Sequence, residues 1–475
     1  MKNEEFRAFA HEFVDWMAEY LDQIEDLPVK SQVNPGDIRN QLPNQPPEMA
    51  ESMKDIFNDF KNIILPGVTH WQHPSFHAYF NANNSRPSIL AEMLTATLGA
   101  QCMIWATSPS ATELEEVTMK WLKGMLGLPE SWHGSIQNGA SDATLIALLT
   151  ARERVTGFKL NSSRSSNRVF RVYGSEQAHS SLDKAVAIAG IGQQNLVKVA
   201  VDDQYAMDPE KLREAIQKDI DRGFQPLMVM AAIGTTGSTA IDPLLPIAHV
   251  CEEYEIWLHV DAALAGTSLI LDEMRWMVQG IEKAESFVVN PHKWMFTNFD
   301  CSAYFVKDKK ALLRTFSVSP EYLRTKEDEQ VNNYRDWGIP LGRRFRALKL
   351  WFVIRSFGVE GLRQKIRLHL QLAQWFKERV LRASIFELCA PVPLNTICFR
   401  VSPTNKNKLD LDALNKELLE SVNATGKIYI THTMLQRRYV LRMVIGQTEV
   451  AQRHVEKAWK LLHSTAEELL SRKND

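Results

Sequence analysis

The sequence lacks most of the features that would set a chain of 475 residues apart from ordinary globular proteins. No uninterrupted apolar run approaches the roughly 18 residues a membrane-spanning helix needs, so no membrane partner is expected. An excess of one charge is also missing. Lys plus Arg is 55 and Asp plus Glu is 57, a net charge of −2, which argues against nucleic acid or an anionic lipid surface as the main partner. Cysteine is scarce. Cys102, Cys251, Cys301, Cys389 and Cys398 are odd in number and form no C-x-x-C pair, so neither a disulfide framework nor a metal site is expected. The simplest reading is reduced thiols in a cytoplasmic protein. The opening MKNEEFRAFAHEF is acidic and amphipathic and reads as neither a signal nor a transit peptide. The Asn-x-Ser/Thr matches at Asn83, Asn161 and Asn423 therefore carry little weight. The glycines at Gly190 and Gly192 lack the third member of a dinucleotide fingerprint, and no GxxxxGK[ST] loop occurs.

What is present is globular. Apolar residues are 45% and charged residues 24%, close to the average for folded domains. The length allows two to four domains at roughly 100–200 residues each. Residues 1–24 carry Phe6, Phe9, Phe13, Met17, Tyr20, Leu21 and Ile24 at helical spacing, with acids between. A face this apolar must pack either on the chain's own core or on a second subunit. A proline-rich connector follows. In the middle, short apolar runs at 169–173, 196–201, 227–233, 256–260, 287–289 and 303–306 alternate with helical patterns such as 208–217 and 243–253. Near-continuous apolar strands between helices imply a mostly parallel sheet covered on both faces, an α/β fold. From about residue 345 the character changes to a small α+β domain. A long helical stretch at 346–382 precedes strand-like segments at 396–401 and 439–445 and helices at 409–422 and 449–472.

Open α/β sheets bind ligands where their strands end. After 256–260 comes Asp261, which alone would read as a helix cap or ion-pair residue. After 287–289 comes Asn290-Pro291-His292-Lys293-Trp294. A lysine in that partly desolvated setting has a lowered pKa and becomes a usable amine nucleophile or Schiff-base former. At 134–144 small residues open a helix, where backbone N–H groups bind anions, although an ordinary capped helix is the plain alternative. His179 follows the 169–173 run, and hydroxyls crowd 234–239. A Schiff-base lysine, an acid for a pyridinium nitrogen and a phosphate cradle together are what pyridoxal 5'-phosphate requires.

These residues also carry a family resemblance. The segments HWQHPSFHAYF (70–80), SPSATELE (108–115), HSSLDKA (179–185), IGTTGST (233–239), WLHVDAALAG (257–266), NPHKW (290–294), NFDCSA (298–303) and IPLGRRFR (339–346) resemble the pyridoxal-phosphate-dependent group II amino-acid decarboxylases, most closely those acting on aromatic L-amino acids. The resemblance implies an aspartate-aminotransferase-like (type I) fold and an intertwined homodimer. Its division would be a helical dimerisation segment (1–84), a large cofactor domain (85–348) and a small C-terminal domain (349–475). It implies that Lys293 holds the cofactor covalently, that Asp261 pairs with its ring nitrogen and that His179 stacks on the ring. Ala140, Ser141, Asn290 and His292 would hold the phosphate, with Thr236 and Ala263 beside the cofactor. Trp71, Tyr79, Phe80 and Ala82 would line the substrate side, joined by Met103, Ile104, Leu341 and Gly342 of a second subunit.

The polar segment 317–333 reads as a mobile lid. Its Tyr322 matches the family's catalytic tyrosine, which protonates the substrate carbon after CO2 leaves, and relatives with Phe there tend to make aldehydes. Some positions depart from the family pattern. His77 replaces a usually aromatic residue, Asn81-Ala82-Asn83 replaces the Pro-Thr-Ala of animal relatives, and Met103 replaces their Phe. Gly342 falls where glycine tends to accompany indole side chains. No Arg or Lys in these motifs awaits a second carboxylate. The expected activity is therefore decarboxylation of an aromatic L-amino acid. The alternatives are a decarboxylase of histidine, a diamino acid or glutamate, an aldehyde-forming oxidative decarboxylase, and a cofactor-binding but inactive subunit.

Overall fold

A computed structural model describes residues 1–162, 168–318, 326–403 and 409–474. The chain divides into two compact units. One comprises Met1–Asn81, Gln374–Cys389 and Cys398–Asp475, and the other Ala82–Ala373 and Ala390–Ile397.

The second unit is built on a seven-stranded sheet. Its strands are β1 (His133–Gln137), β2 (Phe170–Ser175), β3 (Leu196–Val199), β4 (Gln225–Ala232), β5 (Trp257–Asp261), β6 (Ser286–Val289) and β7 (Ser302–Val306), in the order β1-β7-β6-β5-β4-β2-β3. Neighbours from β6 through β5, β4 and β2 to β3 are parallel, and β7 is antiparallel to both β6 and β1. Every residue of β5, β6 and β7 is buried. Side chains alternate between faces, so both faces are covered. The helix Ala140–Val155 supplies much of that cover. Its Ile146, Ala147 and Ala151 share a core cluster with Met228, Met230, Trp257, Val288 and Tyr304.

The apolar runs read from the sequence became β2 to β7. The polar HGSIQ segment that forms β1 did not announce itself. The long stretch Arg346–Arg382 is two helices rather than one, because Gly358 interrupts it at φ 65, ψ 164, a conformation essentially confined to glycine.

Elsewhere β8 (Phe386–Leu388), β9 (Thr396–Val401), β10 (Thr431–Leu435) and β11 (Arg438–Val444) form a four-stranded sheet in the order β10-β11-β9-β8. The N-terminal helix Asn3–Asp22 buries none of its residues fully. Phe13 packs on Phe57 at 4.4 Å and Trp16 on Phe60 at 5.2 Å, while Phe6 stays 61% exposed. Among the described residues no helix is long and apolar enough to cross a membrane.

Buried histidines couple this fold to pH. Burial pushes the pKa of His77, His292 and His369 down to about 3 and that of His259 to about 4. Unfolded histidine titrates near 6.5, so below that pH the unfolded chain binds protons that the folded chain refuses. Stability present above pH ~6.5 is then lost as pH falls toward the folded values, by about 1.4 kcal/mol per pH unit for each ring. Asp242 acts oppositely. Burial raises its pKa to about 7, and its contribution offsets about one histidine between pH 7 and 4. The urea midpoint should therefore drop clearly from pH 7 to pH 5. A steady or rising midpoint would mean that these rings take protons while folded.

Candidate active site

The sheet topology brings the candidate loops to one edge. β1 runs with β6, since both are antiparallel to β7, and β2, β4 and β5 run the same way. The carboxyl ends of β1, β2, β4, β5 and β6 therefore line one side, and each delivers a residue singled out above.

After β1, Gly139 is extended at φ −166 and caps the helix Ala140–Val155. Ala140 and Ser141 open its first turn, whose N–H groups have no intrahelical acceptor. After β2 comes His179. Its Nδ1 accepts the backbone N–H of Ser181 at 3.1 Å, so the neutral ring carries its hydrogen on Nε2. The residue is exposed, yet enough protein surrounds its ring that desolvation lowers its pKa. Asp261 opposes that shift and Lys293 adds to it. Asp261 and Lys293 thus both act electrostatically on His179. After β4, Gly234 turns the chain at φ +86, with Ala265 Cβ only 2.9 Å from where its own Cβ would be. Thr235 and Ser238 face each other at 3.3 Å, leaving Thr236 exposed.

Asp261 ends β5 and is 8% exposed. The backbone N–H of Ala263 donates to its Oδ1 at 3.1 Å, and Oδ2 has no hydrogen-bond donor among the described residues. Ala263 itself accepts the backbone N–H of Asn290 at 2.9 Å. The lysine sits in a short turn, Pro291–Trp294, held from several sides. Asn83 donates to the Lys293 carbonyl at 2.6 Å and, from its backbone, to the His292 carbonyl at 3.1 Å. The fully buried Trp294 donates to His369 Nδ1 at 2.9 Å. Ser302 donates to Asn290 Oδ1 at 2.5 Å, and the Cys301 backbone N–H donates to His292 Nδ1 at 2.9 Å. His292 is kept neutral by burial and then by the Lys293 charge, and with Nδ1 accepting from Cys301 its Nε2 carries the hydrogen.

The proposed substrate-side residues fall in both units. In the first, Trp71 stacks on Phe76 at 4.5 Å and on Tyr79 at 5.7 Å, and Arg442 lies 4.6 Å over Phe80. Tyr79, at φ +51, meets the hydroxyl of Tyr429 at 3.2 Å. In the second, Ala82 precedes Asn83, Ile104 is buried, and the Met103 carbonyl accepts the Arg335 N–H at 2.9 Å. Leu341 is 49% exposed and Gly342 is exposed beside it. Tyr322 lies outside the described residues. Sequence reasoning missed Asn83, Ser302 and Tyr429. Asn83 and Ser302 stood inside matching or adjoining segments, whereas nothing near Tyr429 pointed to Tyr79, 350 residues away. Among the described residues no group of three His, Cys, Asp or Glu side chains is placed to hold a metal.

Comparisons with known proteins agree with this chemistry. The chain is 42% identical to a phenylacetaldehyde synthase of Arabidopsis thaliana, across 99% of this chain and 97% of that one. It is 41% identical to tyrosine decarboxylase 2 of Narcissus pseudonarcissus, across 99% and 96%. A crystal structure of Oryza sativa TDC with PLP and tryptamine superposes with a TM-score of 0.95 at 33% identity, covering 99% of each chain. The fold is the aspartate-aminotransferase-like one that the resemblance implied. Residues 35–402 match the pyridoxal-dependent decarboxylase conserved domain, and the chain belongs to that family of pyridoxal-phosphate enzymes.

Proposed function

We propose that this protein converts an aromatic L-amino acid to its amine and CO2, with the residues at the carboxyl edge of the large sheet as its machinery. What supports the reading is that the carboxyl ends of β1, β2, β4, β5 and β6 lie on one side of the sheet and are followed by the Ala140–Val155 helix start, His179, Thr236, Asp261 and Lys293. The site fits pyridoxal phosphate. Gly139 borders open space on its Cβ side, and the first-turn N–H groups of the helix it caps are the kind that bind an anion. Ala140, Ser141, Asn290 and the Nε2–H of His292 would hold that phosphate, with Thr236 and Ala263 alongside. Lys293 would hold the cofactor covalently through its amine, and Asp261 would hold a proton on the ring nitrogen. Bound there, the cofactor supplies an electron sink for the bond to the departing carboxylate.

The chain's own groups do the rest. Asp261 is fixed by Ala263 and keeps one oxygen free for its proton. His179 offers Nε2–H, and desolvation lowers its pKa, which favours the neutral ring. Tyr322, assisted by His179, delivers a proton to the substrate α-carbon. Trp71, Tyr79, Phe80 and Ala82, joined by Met103, Ile104, Leu341 and Gly342 of a second subunit, would select the aromatic side chain. A Cβ on Gly342 would lie 3.2 Å from Gln101 Nε2, so a larger residue there would displace Gln101. By the family resemblance, glycine at this position accompanies indole side chains.

The test is a product assay. Purified protein with pyridoxal phosphate would meet Trp, 5-hydroxytryptophan, Tyr, Dopa, Phe, His and Glu, with CO2 and product read together. Matched CO2 and aromatic amine are expected, and turnover of His or Glu alone would overturn the substrate class. A second reading, aldehyde formation, draws on the phenylacetaldehyde synthase relative. Release of hydrogen peroxide and ammonia would mark it. His179→Gln should retain the cofactor's visible band while amine formation falls by roughly a hundredfold, the low end for a lost proton-transfer residue. An unchanged rate would remove His179 from the proton path.

The enzyme would act as a homodimer in the cytoplasm. Leu90, Met93, Leu94 and Leu98 form an exposed apolar stripe on the helix Arg86–Leu98, and Phe6 and Val14 are exposed on the N-terminal helix. Such patches mark interfaces. All the cysteines are buried and free, which suits a reducing compartment. A monomer by light scattering would contradict the assembly.

A further inference from the structure

Beside the start of the Ala140–Val155 helix runs a chain of ion pairs to which the proposed chemistry assigns no role. Arg346, 7% exposed, donates to Asn138 Oδ1, and its Nε donates to Asp300 Oδ2 at 2.8 Å. Asn138 in turn donates to Asp142 Oδ2 at 2.6 Å, within the first turn of the helix. Arg344 binds the other oxygen of Asp300 at 2.7 Å and pairs with Glu92. The second oxygen of Glu92 receives the fully buried Lys349 at 3.1 Å. Asp300 adjoins Cys301, whose backbone N–H fixes His292.

Burying a guanidinium is costly unless its bonds are well made. Here one guanidinium ties together two segments that are remote in sequence. One is the turn at 138–142, which opens the anion-binding helix. The other is the stretch from Asn290 to Asp300, which carries His292 and Lys293. Asp300 takes the Arg346 Nε and Asn138 one terminal nitrogen, so Arg346 can act on a ligand's site through these two partners.

We propose that Arg346 is a positioning residue for the phosphate end of the cofactor, acting through Asn138 on the helix start and through Asp300 on the His292 segment. The inference rests on the pyridoxal phosphate reading above. Lysine in its place keeps the charge but lacks the fork that spans two acceptors.

The test uses the full chain stripped of cofactor. Wild type, Arg346→Lys, Asn138→Ala and the double variant are titrated with pyridoxal phosphate and with pyridoxal, which keeps the aldehyde and lacks the phosphate. Visible absorbance reads uptake. Each single variant should bind pyridoxal phosphate about tenfold more weakly or worse, the scale seen when an outer support of a site is lost. Pyridoxal uptake should be unchanged, and the double variant should be no worse than Arg346→Lys, because the two residues act in series. A merely structural role would weaken both ligands together. That result, or unchanged affinity for pyridoxal phosphate, would overturn the proposal. If Arg346→Lys does not fold, Asn138→Ala carries the test alone, since it leaves the Arg346–Asp300 pair in place. If wild type takes up neither ligand, the cofactor reading fails instead.

Discussion

Lys293→Ala should abolish the visible absorbance of the cofactor-loaded protein and cut amine formation by about three orders of magnitude or more, within the range for a lost acid–base group or beyond it. The argument is geometric. The Lys293 backbone is pinned by Asn83, and its neighbour Trp294 is locked by His369. Both are main-chain or adjacent contacts, so truncating the lysine side chain removes the amine and leaves its support in place. The variant should therefore fold, with a melting temperature near that of wild type. Borohydride treatment of the loaded wild type should attach the cofactor irreversibly to the peptide containing Lys293, and the variant should show no such adduct. A visible band that survives the substitution, or an adduct on another lysine, would remove Lys293 from its role. The fully buried Lys349 is the natural control. It is engaged with Glu92, and burial lowers its pKa to about 8, so it is the lysine on which an adduct elsewhere would be looked for first.

Tyr322→Phe is the second large effect expected. The substitution removes one hydroxyl from a residue that matches the family's catalytic tyrosine. Amine formation should fall by about 10²- to 10⁴-fold, the usual range for a lost general acid. Cofactor uptake should be unchanged, because the residues that would hold it (Lys293, Asp261 and His292) lie in other segments. CO2 release should fall less than amine release, because the proton is needed only after the carboxylate has gone. The residual product should include aldehyde, with oxygen consumed and peroxide and ammonia formed. The ratio of CO2 to amine, measured in one vessel, decides the matter. A ratio near one at an undiminished rate would show that another group protonates the α-carbon.

The site was partly legible because buried parallel strands are apolar and end abruptly. Asp261, Lys293 and His179 each follow such a run, and although each alone reads as a cap, a surface lysine or a satisfied polar group, together they match the needs of one cofactor. β1 escaped because it is a short strand at the sheet's edge with a polar composition, and its first residue is exposed. Side-chain period and composition therefore carry no signal for it. The break at Gly358 escaped because the helical pattern continues on both sides of it, and only the backbone angles record the interruption.

What the sequence by itself determined is the chemical inventory and its order along the chain: an α/β core, a lysine and an acid at strand ends, a small-residue helix start, and no excess of charge or cysteine to suggest another class. Local pattern suffices for these, since each depends on neighbours a few residues away. Tertiary structure alone decided which groups meet and in what state. The Nδ1 atoms of His179 and His292 are each taken by a backbone N–H, which sets where their hydrogens lie. Asn83 reaches across 210 residues to Lys293, and Arg346 across 208 to Asn138. Contacts of that span come from the packing together of segments remote in sequence. No periodicity within either segment encodes them, because the burial that makes them strong exists only once the sheet has closed over them.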